Sequence, residues 1–228
     1  MSIRKVPFAP GEFYHLYNRG NSKQKIFHDK EDYYHFSGLL YACNQKENFK
    51  IDNLQKGQYL FDIEKQSKLV DIGAYCLMPN HFHILVIQPV EGDISKFMQK
   101  LSTAYVMYYN KKYKRTGGLF EGKFKSQHLS TDRYLKYIFS YIHLNPVKLI
   151  DKEWKEKGIK NKRATLDYLR NYTYSSYLDY LEADRAQNKI LCIKSFPKYF
   201  LTKQYFNKEI FEWLSYNEFS ARQDLAES

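Results

Sequence analysis

The sequence has few cysteines and no long apolar segment. Its three cysteines, Cys43, Cys76 and Cys192, are odd in number and widely spaced, and none of them belongs to a CxxC pair. This distribution indicates reduced thiols rather than a disulfide framework. The N-terminus carries no apolar signal-peptide segment, and no stretch approaches the length of a membrane span. We therefore expect a cytoplasmic protein with no membrane partner.

Acidic residues are in the minority. The chain has 36 Lys and Arg against 25 Asp and Glu, which gives a formal net charge of +11 over 228 residues. Such an excess favours a polyanionic partner, because every cation that neutralises a phosphate also releases a counterion. A ribosomal or membrane-surface protein could be equally basic, so charge indicates a class of partner and not a function.

Tryptophan is scarce, whereas the other aromatic residues are abundant. Two Trp stand against 22 Tyr and 16 Phe, and several of these rings adjoin Lys or Arg, as in residues 111–115 and 123–125. Aromatic faces beside cations suit unpaired bases, since a base can stack while its phosphate is neutralised. An A/T-rich genome would encode the same residue types, so this composition does not by itself establish nucleic-acid binding.

Hydrophobic periodicity predicts alternating strands and helices up to Pro146. Their order is strand, helix, strand, strand, helix, strand, which is typical of a ferredoxin-like α+β sandwich, and a further helix follows. Such a fold has an antiparallel sheet with helices on one face and leaves the other face available for a ligand. The predicted strands are residues 12–18, 69–78, 81–87 and 123–129, and the predicted helices are residues 31–45, a segment capped by Asp93 or Ser95, and a segment capped by Ser130 or Thr131 that runs to Pro146.

The pattern changes after residue 150. Residues 1–150 form the predicted main domain, and residues 151–228 form a basic linker followed by a mainly helical extension. Lysines and one arginine crowd residues 151–163, which predicts a solvated or phosphate-facing segment. An amphipathic helix is expected at residues 202–219. Residues 46–67 are polar and are predicted to form an inserted loop or irregular hairpin.

Two histidines start the third predicted strand. Alternate side chains of a strand share a face, so His81 and His83 point the same way while Phe82 points the other. Two imidazoles about 6.5–7 Å apart at Cα can converge on one metal ion. Two hydrogen-bonded histidines at a sheet edge are an equally good interpretation, because a His-x-His pair is a short pattern.

A stripe of tyrosines runs along the last predicted helix of the main domain. Leu135, Ile138 and Ile142 supply its core face, whereas Tyr141 and Asn145 lie on a separate stripe one turn apart, so they can act at one site. Pro146 is expected to end the helix and to bias Asn145 away from helical geometry. Taken alone, Tyr141 is better explained as a half-buried amphipathic ring, since the chain holds 22 tyrosines.

Together these segments resemble the single-tyrosine HUH transposases, and most closely the branch associated with repetitive extragenic palindromes. The resembling segments keep the order of that family over roughly residues 8–180. They are residues 14–20, the His81-Phe82-His83 strand after a Met-Pro-Asn turn, residues 118–125, the Tyr-Ile-His-Leu-Asn-Pro segment from Tyr141 to Pro146, and residues 174–177.

The resemblance implies a catalytic helix and a set of roles. Tyr141 would be the nucleophile that forms a 5′-phosphotyrosine with single-stranded DNA, and His81, His83 and Asn145 would hold Mg²⁺ or Mn²⁺. The DNA is expected to carry a hairpin. By ligand type alone, two imidazoles suit zinc or another transition metal better than magnesium.

Further residues are assigned from their chemistry. Arg19, Lys123 and Lys125 are candidates for phosphate contacts and Phe120 for base stacking, although each could be an ordinary surface charge or a core ring. The histidines His15, His128 and His143 are interpreted as structural.

Two other functions remain open. One is a non-catalytic protein that binds single-stranded nucleic acid on its sheet, and the other is a zinc-dependent phosphodiesterase in which water attacks. The sequence does not decide between a monomer and a homodimer.

Overall fold

A four-stranded antiparallel sheet forms the centre of the computed structural model, which describes residues 7–47 and 58–214. The strands are β1 (Phe13–Arg19), β2 (Asp71–Met78), β3 (His81–Ile87) and β4 (Lys125–His128), in the spatial order β2-β3-β1-β4. All three neighbouring pairs run antiparallel. With the helices between them, this confirms the predicted α+β sandwich of ferredoxin-like type.

Two helices cover the first face of the sheet. They are α1 (Lys30–Ala42) and α2 (Asp93–Lys112). Even-numbered side chains of β1 and β3 point toward them, as the period of a strand requires, and form one buried core that includes Leu16, Phe82 and Ile84.

The starts of these helices differ from one another. The side chain of Asp29 caps α1 by accepting from the N–H of Asp32. In contrast, α2 begins after Gly92, whose φ of 83° lies in the left-handed region that favours glycine, and no side chain caps it. The predicted caps, Asp93 and Ser95, therefore lie inside α2.

The second face carries helix α3 (Asp132–Leu144), which begins at the predicted cap Thr131. Leu135, Ile138 and Ile142 of α3 pack in a second core together with side chains of β2 and β3 such as Cys76 and Leu85. This face is therefore largely covered, and the expectation that it would be available for a ligand is met only where a cleft enters it beside α3.

The chain beyond residue 150 completes the second core. It contains α4 (Trp154–Lys157), α5 (Lys162–Asn171), α6 (Tyr177–Tyr180) and α7 (Lys203–Trp213). The Tyr172 hydroxyl donates to the carbonyl of Leu77 at 2.6 Å, and the Tyr180 hydroxyl donates to that of Gly73 at 2.7 Å. This segment thus binds directly to the edge strand β2, and the predicted division at residue 150 stays a prediction.

Some predictions fall partly outside the described residues. Within the predicted insertion at 46–67, the described part contains a short 3₁₀ helix, Leu60–Asp62, and the rest lies outside. The last predicted helix is described as α7, and its predicted end at residue 219 also lies outside. Across residues 7–47 and 58–214, no helix combines the length and apolar composition needed to cross a bilayer.

Candidate active site

The predicted histidine pair lies on the second face of the sheet, beside α3. His81 and His83 stand opposite Arg19 and Tyr17 of β1, respectively. The centroids of the two imidazole rings are 5.0 Å apart. His81 is partly exposed, whereas His83 is 6% exposed. As the strand period predicts, Phe82 points to the opposite face and joins the first core.

Each ring is oriented by a neighbour through its Nδ1 atom. The His81 Nδ1 lies 2.6 Å from the Asn80 Oδ1, and the His83 Nδ1 lies 2.8 Å from the His15 Nε2. The Nε2 of His83 is buried and has no hydrogen-bond partner among the described residues. A water molecule or an ion could satisfy a buried polar atom of this kind.

Both imidazoles are neutral at physiological pH. Burial lowers the pKa of His81 to about 4, although the nearby Asn145 side chain acts in the opposite direction. Burial also holds the pKa of His83 well below its usual value, and the charges of His15 and His81 add to this effect. Neutral imidazole is the form that binds metal ions.

Tyr141 and Asn145 lie at the end of α3, where Tyr141 lines the cleft and the Asn145 side chain interacts with His81. Asn145 keeps helical backbone angles, φ −54° and ψ −38°, so the expected distortion before Pro146 does not occur. The chain continues as a 3₁₀ helix, Asn145–Leu149, with the proline in its first turn, where a missing N–H breaks no hydrogen bond. The two side chains therefore stay one helical turn apart on one stripe.

The tyrosine lies against the histidine pair. The ring of Tyr141 is partly exposed, and its centroid is 5.4 Å from that of His83. The Oδ1 of Asn145 is buried and has no hydrogen-bond partner among the described residues. Two buried polar atoms without partners among the described residues thus belong to side chains that contact either Tyr141 or His81.

These donors fit a weakly held divalent cation. Within the described ranges, no group of three or more His, Cys, Asp or Glu residues is placed to hold a metal. An ion at this site would depend on His81, His83 and the Asn145 amide oxygen, and it would complete its shell with water or substrate oxygens. Mixed nitrogen and oxygen ligands with open positions suit an ion that must also contact substrate.

A cationic cleft opens at this site. Its volume is about 1000 Å³, and Tyr141, His81 and His83 line it. Glu121 supplies a carboxylate to the lining, which otherwise carries an excess of positive charge suited to a phosphodiester backbone. The cationic lining residues are Arg19, Lys23, Lys25, Lys125, Lys148 and Lys152.

The predicted DNA-contact residues occupy different environments. Lys125 lines the cleft, and Lys123 is exposed but is not part of the lining. The Arg19 Nε lies 2.5 Å from a Glu121 carboxylate oxygen, so much of its charge is compensated. Phe120 packs edge-on against the core ring of Phe82, with centroids 5.9 Å apart, which restricts the ring face that could meet a base.

Two residues at the site were not predicted from the sequence. His15, interpreted from the sequence as structural, contacts His83 directly, because antiparallel pairing of β1 and β3 places both on the second face. Lys155 of α4 places its ammonium 3.8 Å from the centroid of the Tyr141 ring. The density of lysines in residues 151–163 pointed to Lys155. The contact of His15 with His83 depends on strand register instead.

The other two histidines that were interpreted as structural lie apart from the cleft. His128 pairs with Glu12 at 2.7 Å, and His143 is buried between the carbonyl of Phe139 and the hydroxyl of Ser176. Neither belongs to the lining of the cleft, as their structural interpretation requires.

Comparison with solved structures finds one with the same fold. The solved structure of a REP-associated tyrosine transposase bound to a REP hairpin matches with a TM-score of 0.52 at 13% identity, over 82% of this chain and 90% of that one. A bacterial tRNA(His) guanylyltransferase-like protein in complex with ATP matches with a TM-score of only 0.38 at 11% identity, over 75% of this chain and 72% of that one.

The match to a family model is more specific. No curated protein matches the sequence. The model of the IS200-like transposases, however, matches residues 12–145, which is more than half of the chain and includes every residue from the β1 histidine to the Asn145 amide. The chain therefore belongs to the IS200-like transposase family.

Proposed function

We propose that the protein cleaves and rejoins single-stranded DNA through a covalent bond to Tyr141. The observation that supports this most directly is the contact of the Tyr141 ring with His83, together with an Asn145 side chain that interacts with His81. The buried Nε2 of His83 and Oδ1 of Asn145 lack partners among the described residues. A stacking platform for bases needs neither of these atoms. Their presence in a site where His83 also contacts the partly exposed Tyr141 ring favours chemistry over binding alone.

The proposed reaction has two reversible steps. The Tyr141 oxygen forms a bond to phosphorus, the bond from phosphorus to the 3′ oxygen breaks, and a 5′-phosphotyrosine and a 3′-hydroxyl result. The phenolic proton passes to solvent, and the departing 3′ oxygen takes up a proton. Because the ester energy is kept in the phosphotyrosine, attack by a 3′-hydroxyl rejoins the strand without ATP.

The residues of this chain would have the following roles in the reaction. His81, His83 and Asn145 would hold Mg²⁺ or Mn²⁺, with the histidines neutral because burial lowers the pKa of each. The bound ion would polarise the scissile phosphate and compensate its growing negative charge. Lys155 holds a positive charge 3.8 Å from the centre of the Tyr141 ring, which favours any negative charge that develops on the phenol.

The cleft suggests the form of the substrate. Cations along its lining, among them Lys25, Lys125 and Lys152, can track a single phosphodiester backbone toward Tyr141. A solved structure with the same fold is bound to a hairpin. On this basis we propose a single strand that carries a hairpin as the substrate, bound by either a monomer or a homodimer.

A covalent-adduct experiment tests this proposal. The full chain is incubated with hairpin-bearing single-stranded oligonucleotides labelled at either end, with Mn²⁺ or with EDTA, and the products are separated on denaturing gels. We expect a protein band shifted by covalent DNA in Mn²⁺ only, and none with Tyr141→Phe. Tyr137→Phe is the matched control, because that ring stacks on Tyr141 from one turn earlier, at 6.2 Å.

Other outcomes would contradict the proposal. Cleavage that persists in Tyr141→Phe and leaves no adduct would assign the attack to water, as in a phosphodiesterase. Binding without cleavage by the parent protein in any divalent metal would leave a single-stranded nucleic-acid-binding protein.

A further inference from the structure

His15 contacts His83, although the proposed reaction gives His15 no role. Both rings are buried, at 4% and 6% exposed, and a nitrogen of each lies 2.8 Å from a nitrogen of the other. One proton must lie between the two nitrogens for a hydrogen bond to form, and an imidazole binds a metal ion only in its neutral form.

The position of that proton decides what His83 can bind. If the His83 Nδ1 carries it and donates to the His15 Nε2, the His83 Nε2 has a lone pair directed away from the pair. If the His15 Nε2 donates instead, the neutral His83 must carry its proton on Nε2 and cannot bind a cation there. The buried Nε2 of His83 has no protein partner among the described residues in either state.

We infer that His15 is a positioning residue that accepts a hydrogen bond from the His83 Nδ1 and so keeps the His83 Nε2 available to a divalent cation. This inference rests on the proposed function, because it takes His83 as a ligand. Outer hydrogen bonds of this kind fix the tautomer and the orientation of a metal-binding histidine. Neighbouring rings restrict His15 further, since Tyr17 lies 5.0 Å and Tyr141 6.2 Å from it, centroid to centroid.

The affinity of the full chain for Mn²⁺ tests the inference without any turnover. Binding is measured from the loss of the free Mn²⁺ signal in electron paramagnetic resonance. His15→Leu, which cannot accept a hydrogen bond, should weaken binding by about 10- to 100-fold. His15→Gln offers an amide oxygen as acceptor and should recover most of the affinity. His128→Leu is the matched control, because it removes a sheet histidine whose partner is Glu12.

A second measurement on the parent protein guards against a folding defect in His15→Leu. Two-bond ¹H–¹⁵N spectra with diamagnetic Mg²⁺ should show His83 protonated at Nδ1 and His15 not protonated at Nε2. The opposite tautomers would overturn the inference. So would unchanged Mn²⁺ affinity in a folded His15→Leu protein, or a parent protein that binds no Mn²⁺ at all.

The two proposals fail in different ways. A parent protein that binds Mn²⁺ in a His15-dependent manner but forms no DNA adduct would support the role of His15 and contradict the nuclease. An adduct that forms normally while His15→Leu binds Mn²⁺ as tightly as the parent would do the reverse.

Discussion

Arg19 lines the cleft, but its ion pair with Glu121 changes what it contributes to DNA binding. Its guanidinium makes two hydrogen bonds to Glu121, through Nε at 2.5 Å and Nη2 at 3.1 Å. The hydrogen bonds and the negative charge of Glu121 raise the pKa of Arg19, so the pair stays fully charged. Within the cleft, Arg19 therefore contributes much less positive potential than an unpaired arginine would.

Neutralising Glu121 should make Arg19 available to DNA. We expect Glu121→Gln to tighten single-strand binding and to steepen the plot of log affinity against log salt by about 0.7 for each additional phosphate that the protein neutralises. Fluorescence anisotropy at several salt concentrations measures both quantities.

The matched control removes an equal charge away from the cleft. Glu12→Gln breaks the pair with His128 and leaves the cleft lining intact. Equal effects of the two variants would mean that only net charge matters, and Arg19 would have no specific part in DNA binding.

At the scale of elements, a buried carboxylate joins α1 to α2. Asp32 is fully buried and accepts from the Lys112 ammonium at 2.8 Å and from the Tyr113 hydroxyl at 2.7 Å. Burial alone would raise the pKa of Asp32, but the hydrogen bonds from Lys112 and from the N–H of His28 outweigh it and lower that pKa. The ion pair therefore stabilises the contact between the two helices.

Asp32→Asn should destabilise the protein by about 1–3 kcal/mol, because it replaces one acceptor oxygen with an NH₂ donor and leaves buried donors unsatisfied. Lys112 meanwhile keeps its contacts with Asp29 and Glu31. Because the pKa of Asp32 is lower when folded, its contribution is fully present above the unfolded pKa of about 3.9 and is lost as pH falls through the folded value. The difference between parent and variant in urea unfolding should thus shrink below about pH 4.

A neighbouring carboxylate provides the control. Glu31 also contacts Lys112, at 3.0 Å, but its side chain is 71% exposed. Glu31→Gln should cost about 0–1 kcal/mol, as exposed ion pairs do. A loss for Asp32→Asn that is no larger than this would show that the buried pair does not hold the helices together.

The elements themselves were largely predictable, because each follows from a local period. The strand period placed His81 and His83 on one face, and the helix period placed Tyr141 and Asn145 on one stripe, and the structure agrees in both cases. Asn145 is the exception. Its bias away from helical geometry was a local rule about the residue before proline, and the packing of the following 3₁₀ helix overrides it.

Contacts between distant segments were not predictable in this way. His15 meets His83 only because β1 pairs with β3 in one particular register, and single-residue slippage would turn His15 to the other face. The ion pair of Arg19 with Glu121 joins residues 102 positions apart. No local pattern encodes either contact, so neither could be derived from the sequence.

At the scale of the whole molecule, one sheet serves two cores. The first lies between the sheet and helices α1 and α2, and the second lies between the sheet, α3 and the chain beyond residue 150. Phe200 stacks on Phe139 of α3 with centroids 3.7 Å apart, and Phe206 is fully buried in the same core. The helix that carries Tyr141 therefore rests on the extension as well as on the sheet.

A chain that ends at residue 150 should consequently fail to fold cooperatively. It would lose several buried aromatic side chains, among them Tyr177, Phe200 and Phe206. Losing one large buried side chain typically costs about 3–5 kcal/mol, so three such losses match the total stability of an ordinary domain, about 5–15 kcal/mol. Urea unfolding followed by circular dichroism, with size-exclusion chromatography, measures the outcome.

A chain ending at residue 214 is the matched control, because it keeps both cores and the cleft. We expect it to unfold in one transition and to form the DNA adduct, whereas the shorter chain should do neither. If residues 1–150 instead unfold cooperatively at the parent midpoint, the second core is not needed for folding. In that case the extension would act only through its cations, Lys152 at the cleft and Lys155 over Tyr141.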